Sequence, residues 1–297
     1  MSERDEPSTM NGAGTRAPGE ALGHAVEPDP AGRVTCERVG HVASILLDRP
    51  RERHALTSRM LIELADHLTT VEADPEVRAV VLSSTGSETF TVGGDLGSLL
   101  PLFTGARAPA DSWDERLLAD LSVMGKALMI DDFKKPVIAA VTGDAIGGGF
   151  ELMLACDLRV VSNGGRYGLP EVRRGVVPGA GSMVRLPRQI PWAQAMELLL
   201  LGELVNADWL RDAGLVNRVV EPGAVFDVAM SLANALADNA PLSVQGCKEV
   251  ALRSADVSWN GAFAIEREIS ARVMMSEDAR EGPRAFQERR PPRFTGR

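Results

Sequence analysis

Cysteine is scarce. The 297 residues hold three, Cys36, Cys156 and Cys247, far apart along the chain. They show neither the close spacing of a zinc site nor the framework of a disulfide-stapled domain. Reduced, buried or half-buried thiols in a cytoplasmic protein are expected. Long apolar runs are also missing: nothing approaches the ~18 consecutive apolar residues of a membrane span, so no membrane partner is expected. An excess of basic charge is absent too. Thirty-two Lys and Arg face 41 Asp and Glu, for a formal net charge of -9. Such a chain repels a phosphate backbone, which excludes a non-specific nucleic-acid binder. Residues 1–33 lack any apolar run and are rich in Pro, Gly, Glu and Asp. They do not form a signal peptide, and Glu3, Asp5, Glu6 and Glu20 argue against a basic transit peptide. A disordered tail is expected there.

What remains is an ordinary globular composition, 44% hydrophobic, long enough for one large core. Residues 41–48 are strand-like and stop at Arg49-Pro50. Thr57 is placed to cap a helix on which Met60, Leu61, Leu64, Leu68 and Val71 recur at helical spacing. Residues 77–82 and 136–141 read as buried strands, and 111–132 as one charged helix. A glycine-rich turn over 143–149 leads into an apolar helix at 150–156, and 157–161 returns as a strand. Strands alternating with helices predict an α/β arrangement with mostly parallel pairing. From Gly179 onward the pattern turns helical. Residues 215–220 form a late strand and 222–290 form successive amphipathic helices.

Two glycine segments carry the chemistry. One is Phe90-Thr-Val-Gly-Gly-Asp-Leu96, the other Gly143-Asp-Ala-Ile-Gly-Gly-Gly-Phe-Glu151. Each runs from a strand through glycines into a predicted helix. Glycine lets the backbone approach a ligand closely, and N–H groups at a helix start lack partners and point outward. One N–H from each segment can converge on a single oxygen, as a thioester carbonyl requires when it becomes an enolate. The glycine triplet alone would mark only a tight turn. A phosphate loop is not indicated, because no Lys-Ser/Thr follows and no Gly-x-Gly-x-x-Gly occurs. Glu151 lies just beyond the glycines, and Glu171 follows in Tyr167-Gly-Leu-Pro-Glu171. A helix, a returning strand and a turn between them allow both to face one pocket. Paired carboxylates there can divide proton work, one as base and one as acid.

The run Gly143 to Leu152 closely resembles the crotonase signature G-x-A-x-G-G-G-x-E-L, and Gly93-Gly-Asp-Leu96 resembles its other loop, A-G-x-D-L. Tyr167 to Glu171, with Gly175-Val-Val-Pro-Gly-Ala-Gly181, is similar to F-G-x-P-E…G-x-x-P-G-x-G. Glu281-Gly-Pro-Arg-Ala-Phe286, with Glu288 and Arg290, resembles E-G-x-x-A-F-x-E-K-R. The motifs are ordered over residues 34–294, so the chain is identified as a member of the enoyl-CoA hydratase/isomerase (crotonase) family. His54-Ala55-Leu56 stands where the family carries N-A-L, Arg174 where an apolar residue is common, and Ser182-Met-Val-Arg-Leu186 where G-T-Q-R-L is frequent.

The resemblance implies a spiral of β-β-α turns over 34–235, then a C-terminal helical region, 236–297, that builds a homotrimer or a homohexamer. It implies an acyl-CoA thioester as substrate and no cofactor besides the substrate's own coenzyme A, nor any metal. Gly94 and Gly148 would form the oxyanion hole, and Glu151 and Glu171 would be the catalytic pair. The coenzyme A cleft would draw on His54, Ala55, Leu56, Gly93, Asp95, Leu96, Gly147, Pro170 and Gly179, with Phe286 and Arg289 reaching a neighbour's pocket. Having both glutamates favours hydration of a trans-2-enoyl-CoA to the 3-hydroxyacyl-CoA. The alternatives are a Δ3,Δ2-enoyl-CoA isomerase, another dehydratase of the family, or a binding protein without turnover. Which glutamate is acid and which is base stays open, as do chain length and pathway.

Overall fold

The computed structural model describes residues 29–130 and 132–297. Most of the expected tail, residues 1–28, lies outside them. Its last residues are fastened rather than loose. Asp29 pairs with Arg59 at 2.5 Å, and the carbonyls of Pro30 and Ala31 accept from Arg49 and Thr57. The first strand already begins at Arg33.

The chain opens with β1 (Arg33–Val39), β2 (Val42–Asp48), α1 (Ser58–Ala73), β3 (Ala79–Ser84) and β4 (Thr89–Thr91). It continues through α2 (Leu99–Phe103), α3 (Ser112–Ala119), α4 (Ser122–Met124) and a π-helical turn over Gly125–Met129. Next come β5 (Val137–Val141), β6 (Asp144–Ile146), α5 (Gly148–Ala155), β7 (Leu158–Ser162), β8 (Tyr167–Gly168) and a 3-10 turn over Pro170–Arg174. The last part runs α6 (Ser182–Gln189), α7 (Trp192–Leu201), α8 (Ala207–Asp212), β9 (Arg218–Val220), α9 (Val225–Ala237), α10 (Pro241–Arg253), α11 (Trp259–Met274) and α12 (Asp278–Gln287).

Two sheets form. The larger has the order β1-β2-β3-β5-β7-β9, parallel except for the antiparallel β1–β2 pair, and the smaller is β4-β6-β8, also parallel. Successive passes of the chain put one strand in each sheet: β3 then β4, β5 then β6, β7 then β8. The result is a spiral of strand-strand-helix turns, as the motifs implied.

The central strands β3, β5 and β7 are buried on both faces, so they read as nearly continuous apolar runs. Alternation sorts the residues. Val80, Leu82, Val137 and Ala139 face α1 and α5, whereas Ala79, Val81, Ile138 and Ala140 face α9. α9 presents Val225, Ala229, Ala233 and Ala237 at every fourth position to that second face. Small side chains there let the helix lie close to the strands. The boundary expected between 235 and 236 therefore cuts a core helix two residues before its end.

Two local expectations need correction. The single helix over 111–132 is broken. Asp120 leaves helical geometry (φ -140°, ψ 89°) and its carboxylate accepts the Ser122 N–H at 3.0 Å. A side chain that captures a nearby N–H competes with the helical bond. The late strand is shorter than 215–220, because the Leu215 carbonyl is taken by the Arg159 guanidinium at 2.9 Å and only Arg218–Val220 pairs with β7.

Candidate active site

The two glycine segments meet. Leu56 donates to the Gly93 carbonyl at 2.8 Å and accepts from the Asp95 N–H at 2.9 Å, which holds the first loop open like a short strand. Asp95 shapes the same loop. One of its oxygens accepts from the N–H groups of Gly97 and Ser98, and the other pairs with Arg49 at 2.7 Å. Burial works against this carboxylate, but Arg49 and the Gly97 N–H hold it below its ordinary range.

In the second segment Gly147 donates to the Gly168 carbonyl at 2.9 Å and turns the chain from β6 into α5. Close packing explains the glycines. Gly93 has φ +83°, and a Cβ on it would lie 2.6 Å from the Gly148 nitrogen. A Cβ on Gly149 would lie 2.1 Å from the Thr91 carbonyl. Neither position has room for a side chain. The N–H groups of Gly94 and Gly148 sit side by side at this crossing, without a hydrogen-bond partner among the described residues. The Gly148 N–H is also the first of α5, at the positive end of its dipole.

Beneath the loops Glu151 is 3% exposed, on the first turn of α5. Its Oε1 accepts from the N–H of Ala180 at 2.8 Å, the N–H of Ser182 at 3.0 Å and the hydroxyl of Ser182 at 2.8 Å. Burial raises its pKa, while these donors and the Arg185 charge oppose the rise. Glu171 is half-buried on the 3-10 turn. Its Oε1 lies 2.8 Å from where a Gly147 Cβ would stand, and its Oε2 is buried without a partner. Burial first, and then the nearby Glu151 charge, push its pKa up to about 7, against the pull of Arg174. Two carboxyls of one site thus have different surroundings: one receives three donors, the other almost none.

A cleft of about 590 Å³ opens over the loops. Ala55, Leu96, Pro170 and Glu171 line it, as do Gly94, Asp95, Gly147 and Gly148. Other expected residues take different places. His54 is corrected: it is 3% exposed, its Nδ1 accepts the Arg49 N–H at 3.1 Å, and its carbonyl accepts from Thr91. Burial lowers its pKa. A left-handed backbone (φ 53°) turns its ring into the protein, so it braces the loop and does not face the cleft. Leu56 and Gly93 likewise support the wall from behind. Gly179 is exposed and precedes the Ala180 donor. Phe286, 85% exposed, and Arg289 lie on and just after α12, away from this cleft.

Several wall residues were not foreseen. Asp144 accepts from Arg53 at 2.7 Å and from Arg166 at 2.8 Å, and both arginines line the cleft mouth. Their signal was Asp144, an acid at the start of an otherwise apolar glycine turn. Val176 and Leu204 add apolar wall.

The sequence matches the enoyl-CoA hydratase/isomerase family over residues 37–297. (E)-Benzylidenesuccinyl-CoA hydratase of Thauera aromatica is 36% identical over 264 residues, 89% of this chain and 99% of that protein. Short-chain-enoyl-CoA hydratase of Clostridium acetobutylicum is 33% identical over 257 residues, 86% and 95% of the two chains. The crystal structure of an enoyl-CoA hydratase from Bacillus anthracis superimposes with a TM-score of 0.81 at 31% identity, covering 89% of this chain and all of that one. The fold is that of the crotonases, a β-β-α spiral closed by C-terminal helices. The chain belongs to the enoyl-CoA hydratase/isomerase family.

Proposed function

We propose that the protein is an enoyl-CoA hydratase that adds water across a trans-2-enoyl-CoA to give the 3-hydroxyacyl-CoA. The contrast between the two glutamates carries this reading. Two of the three donors on Glu151 Oε1 are backbone N–H groups, which can only donate, and they favour the ionised form. Glu171, without such donors and with a pKa pushed up to about 7, holds its proton on about half of the molecules at neutral pH, far more than an ordinary carboxyl. Glu151 is then the base toward water and Glu171 the acid toward carbon.

In the proposed reaction the thioester oxygen rests on the N–H groups of Gly94 and Gly148. Water bound between the carboxyls gives a proton to Glu151 as its oxygen bonds to C3. The C2–C3 π electrons move toward the thioester, whose oxygen takes enolate charge. Glu171 then protonates C2, and the carbonyl re-forms. A proton passed from Glu151 back to Glu171 resets the pair. Each oxyanion donor is worth roughly a hundred- to a thousand-fold in rate. The steps call on no group besides the substrate's own coenzyme A.

The test is a short 2-enoyl-CoA in heavy-oxygen water, followed by loss of absorbance at the conjugated thioester band and by product mass. Label at C3 is expected. Migration of the double bond without label would overturn the reading. Glu151→Gln and Glu171→Gln should each slow hydration by ~100- to 10,000-fold. The double variant should lose less than the product of the two, because the groups act together.

We infer further that the C-terminal helices pack against other copies, in a homotrimer or a homohexamer. Trp259, Phe263, Met274 and Met275 are exposed on or next to α11, and Phe286 is exposed on α12. Apolar groups gathered in this way suit an interface, and an interface there would bring Phe286 and Arg289 toward a neighbour's cleft. The three free thiols agree with a reducing cytoplasm. No helix among the described residues is long and apolar enough to cross a membrane.

A further inference from the structure

Ser182 makes two contacts with Glu151 through different atoms. Its N–H, in the first turn of α6, reaches Oε1 at 3.0 Å, and its hydroxyl reaches the same oxygen at 2.8 Å. The Ala180 N–H supplies a third donor at 2.8 Å. A carboxylate oxygen offers about two lone-pair sites, so Oε1 is saturated. Both backbone donors are permanent, and a proton on Oε1 would face two N–H groups that cannot accept it. The second oxygen, Oε2, has no hydrogen-bond partner among the described residues. Ser182 is wholly buried (0% exposed), and among the described residues Glu151 is the one partner of its hydroxyl.

Given the hydratase reading above, we propose that the Ser182 hydroxyl is a positioning group for the reaction: it fills Oε1 and makes Oε2 the atom of Glu151 that takes the proton from water. A glycine here would offer the N–H alone. Two backbone N–H groups would then hold Oε1 by themselves, and the carboxylate would be freer to turn about its terminal bond. With the hydroxyl in place it presents one oxygen in one orientation, which matters because general-base catalysis needs a short, aligned contact. Two other charged groups act on Glu151 from neighbouring elements. Arg185, one turn further along α6, favours its ionised form, and Glu171, on the 3-10 turn, opposes it. Ser182 acts in the same direction as Arg185.

The experiment compares wild type with Ser182→Ala, Ser182→Gly and Ser182→Thr in the full-length protein, following kcat and KM against pH. A hydrogen bond to a charged group is worth enough for a roughly tenfold effect. The Ala and Gly variants should lose about tenfold in kcat, with KM within about twofold. Their low-pH limb should move upward, because a donor that favoured the ionised form is gone. Ser182→Thr, which keeps the hydroxyl, should restore the limb. Difference infrared spectroscopy gives a readout besides turnover: the Glu151 carboxylate band, identified by its loss in Glu151→Gln, should shift in Ser182→Ala. A pH profile that superimposes on wild type would overturn the proposal. So would a loss of kcat with the limb and the band unmoved, since a merely structural role predicts that pattern. If the wild type moves a double bond without taking up labelled oxygen, the hydratase reading fails. The infrared band then still decides the role of Ser182.

Discussion

Glu171 shows how one residue couples fold and chemistry. Its ordinary pKa is 4.5, and the fold raises it to about 7, chiefly by burial and then by the Glu151 charge. The native state therefore binds this proton more tightly than the unfolded chain does. The resulting stability is fully present below pH 4.5 and is lost as pH rises through about 7. Glu171→Gln, which carries no charge to desolvate, should melt higher than wild type at about pH 8 and close to it at about pH 4, a comparison that thermal denaturation at the two pH values makes. As the acid of the proposed reaction, Glu171 should also impose a fall in kcat/KM as pH rises through about 7. Arg174 pulls that pKa down, so Arg174→Leu should move this limb to higher pH; an unmoved limb would mean another group sets it. Glu151 and Glu171 were legible as a pair from their motifs. Their different roles were not, because the three donors of Glu151 come from 29 and 31 residues further along the chain.

At the scale of the element, α5 matters most, because its first N–H is half of the proposed oxyanion hole. Its far end is held by Arg159, buried in β7. The guanidinium donates to the carbonyls of Met153, Leu154 and Cys156 at 2.9 to 3.0 Å, and to Leu215 at 2.9 Å. A cation there also suits the helix C-terminus. Arg159→Met should cost about 3 kcal/mol, since it leaves buried carbonyls unpaired. Arg159→Lys should recover only part, because an ammonium cannot reproduce the fork. Urea denaturation measures both, and equal stability of Met and wild type would refute the capping role. The near end depends on glycine. Gly149→Ala would press a methyl group to 2.1 Å from the Thr91 carbonyl and should destabilise by ~1–3 kcal/mol or more. Gly179→Ala, with nothing within 4 Å, should stay within about 0.5 kcal/mol of wild type. The existence of α1, α5 and the central strands was legible from periodicity. The break after Ala119 was not, because one side-chain bond from Asp120 outweighs a helical pattern only once its geometry is known.

For the whole molecule, the chain end closes back on the core. Arg78 donates to the Phe294 carbonyl at 2.7 Å and to Ala237 at 3.0 Å, while Asp278 accepts the N–H groups of Thr295 and Gly296. Truncation after about residue 255 would remove this strap together with the exposed apolar face of α11 and α12. Loss of the oligomer and of coenzyme A affinity together is the expected result, read by analytical ultracentrifugation and by titration with coenzyme A. A truncated chain that stays a fully active trimer would refute the interface assignment.

The sequence by itself determined the α/β class, the two glycine loops and the pair of glutamates, and its resemblance to the family implied the spiral. Each of these rests on local periodicity, on backbone room that only glycine provides, or on a motif whose spacing is preserved along the chain. Tertiary structure alone decided which residues face the cleft. His54 reads as a cleft residue beside Ala55, yet its left-handed backbone and its bond to Arg49 turn it inward. Arg53 and Arg166 come from separate segments and meet at the cleft through the buried Asp144, which reaches Arg166 because β6 and β8 pair. The different surroundings of the two glutamates likewise depend on burial and on distant donors. Those are properties of packed neighbours, and no short stretch of chain encodes them.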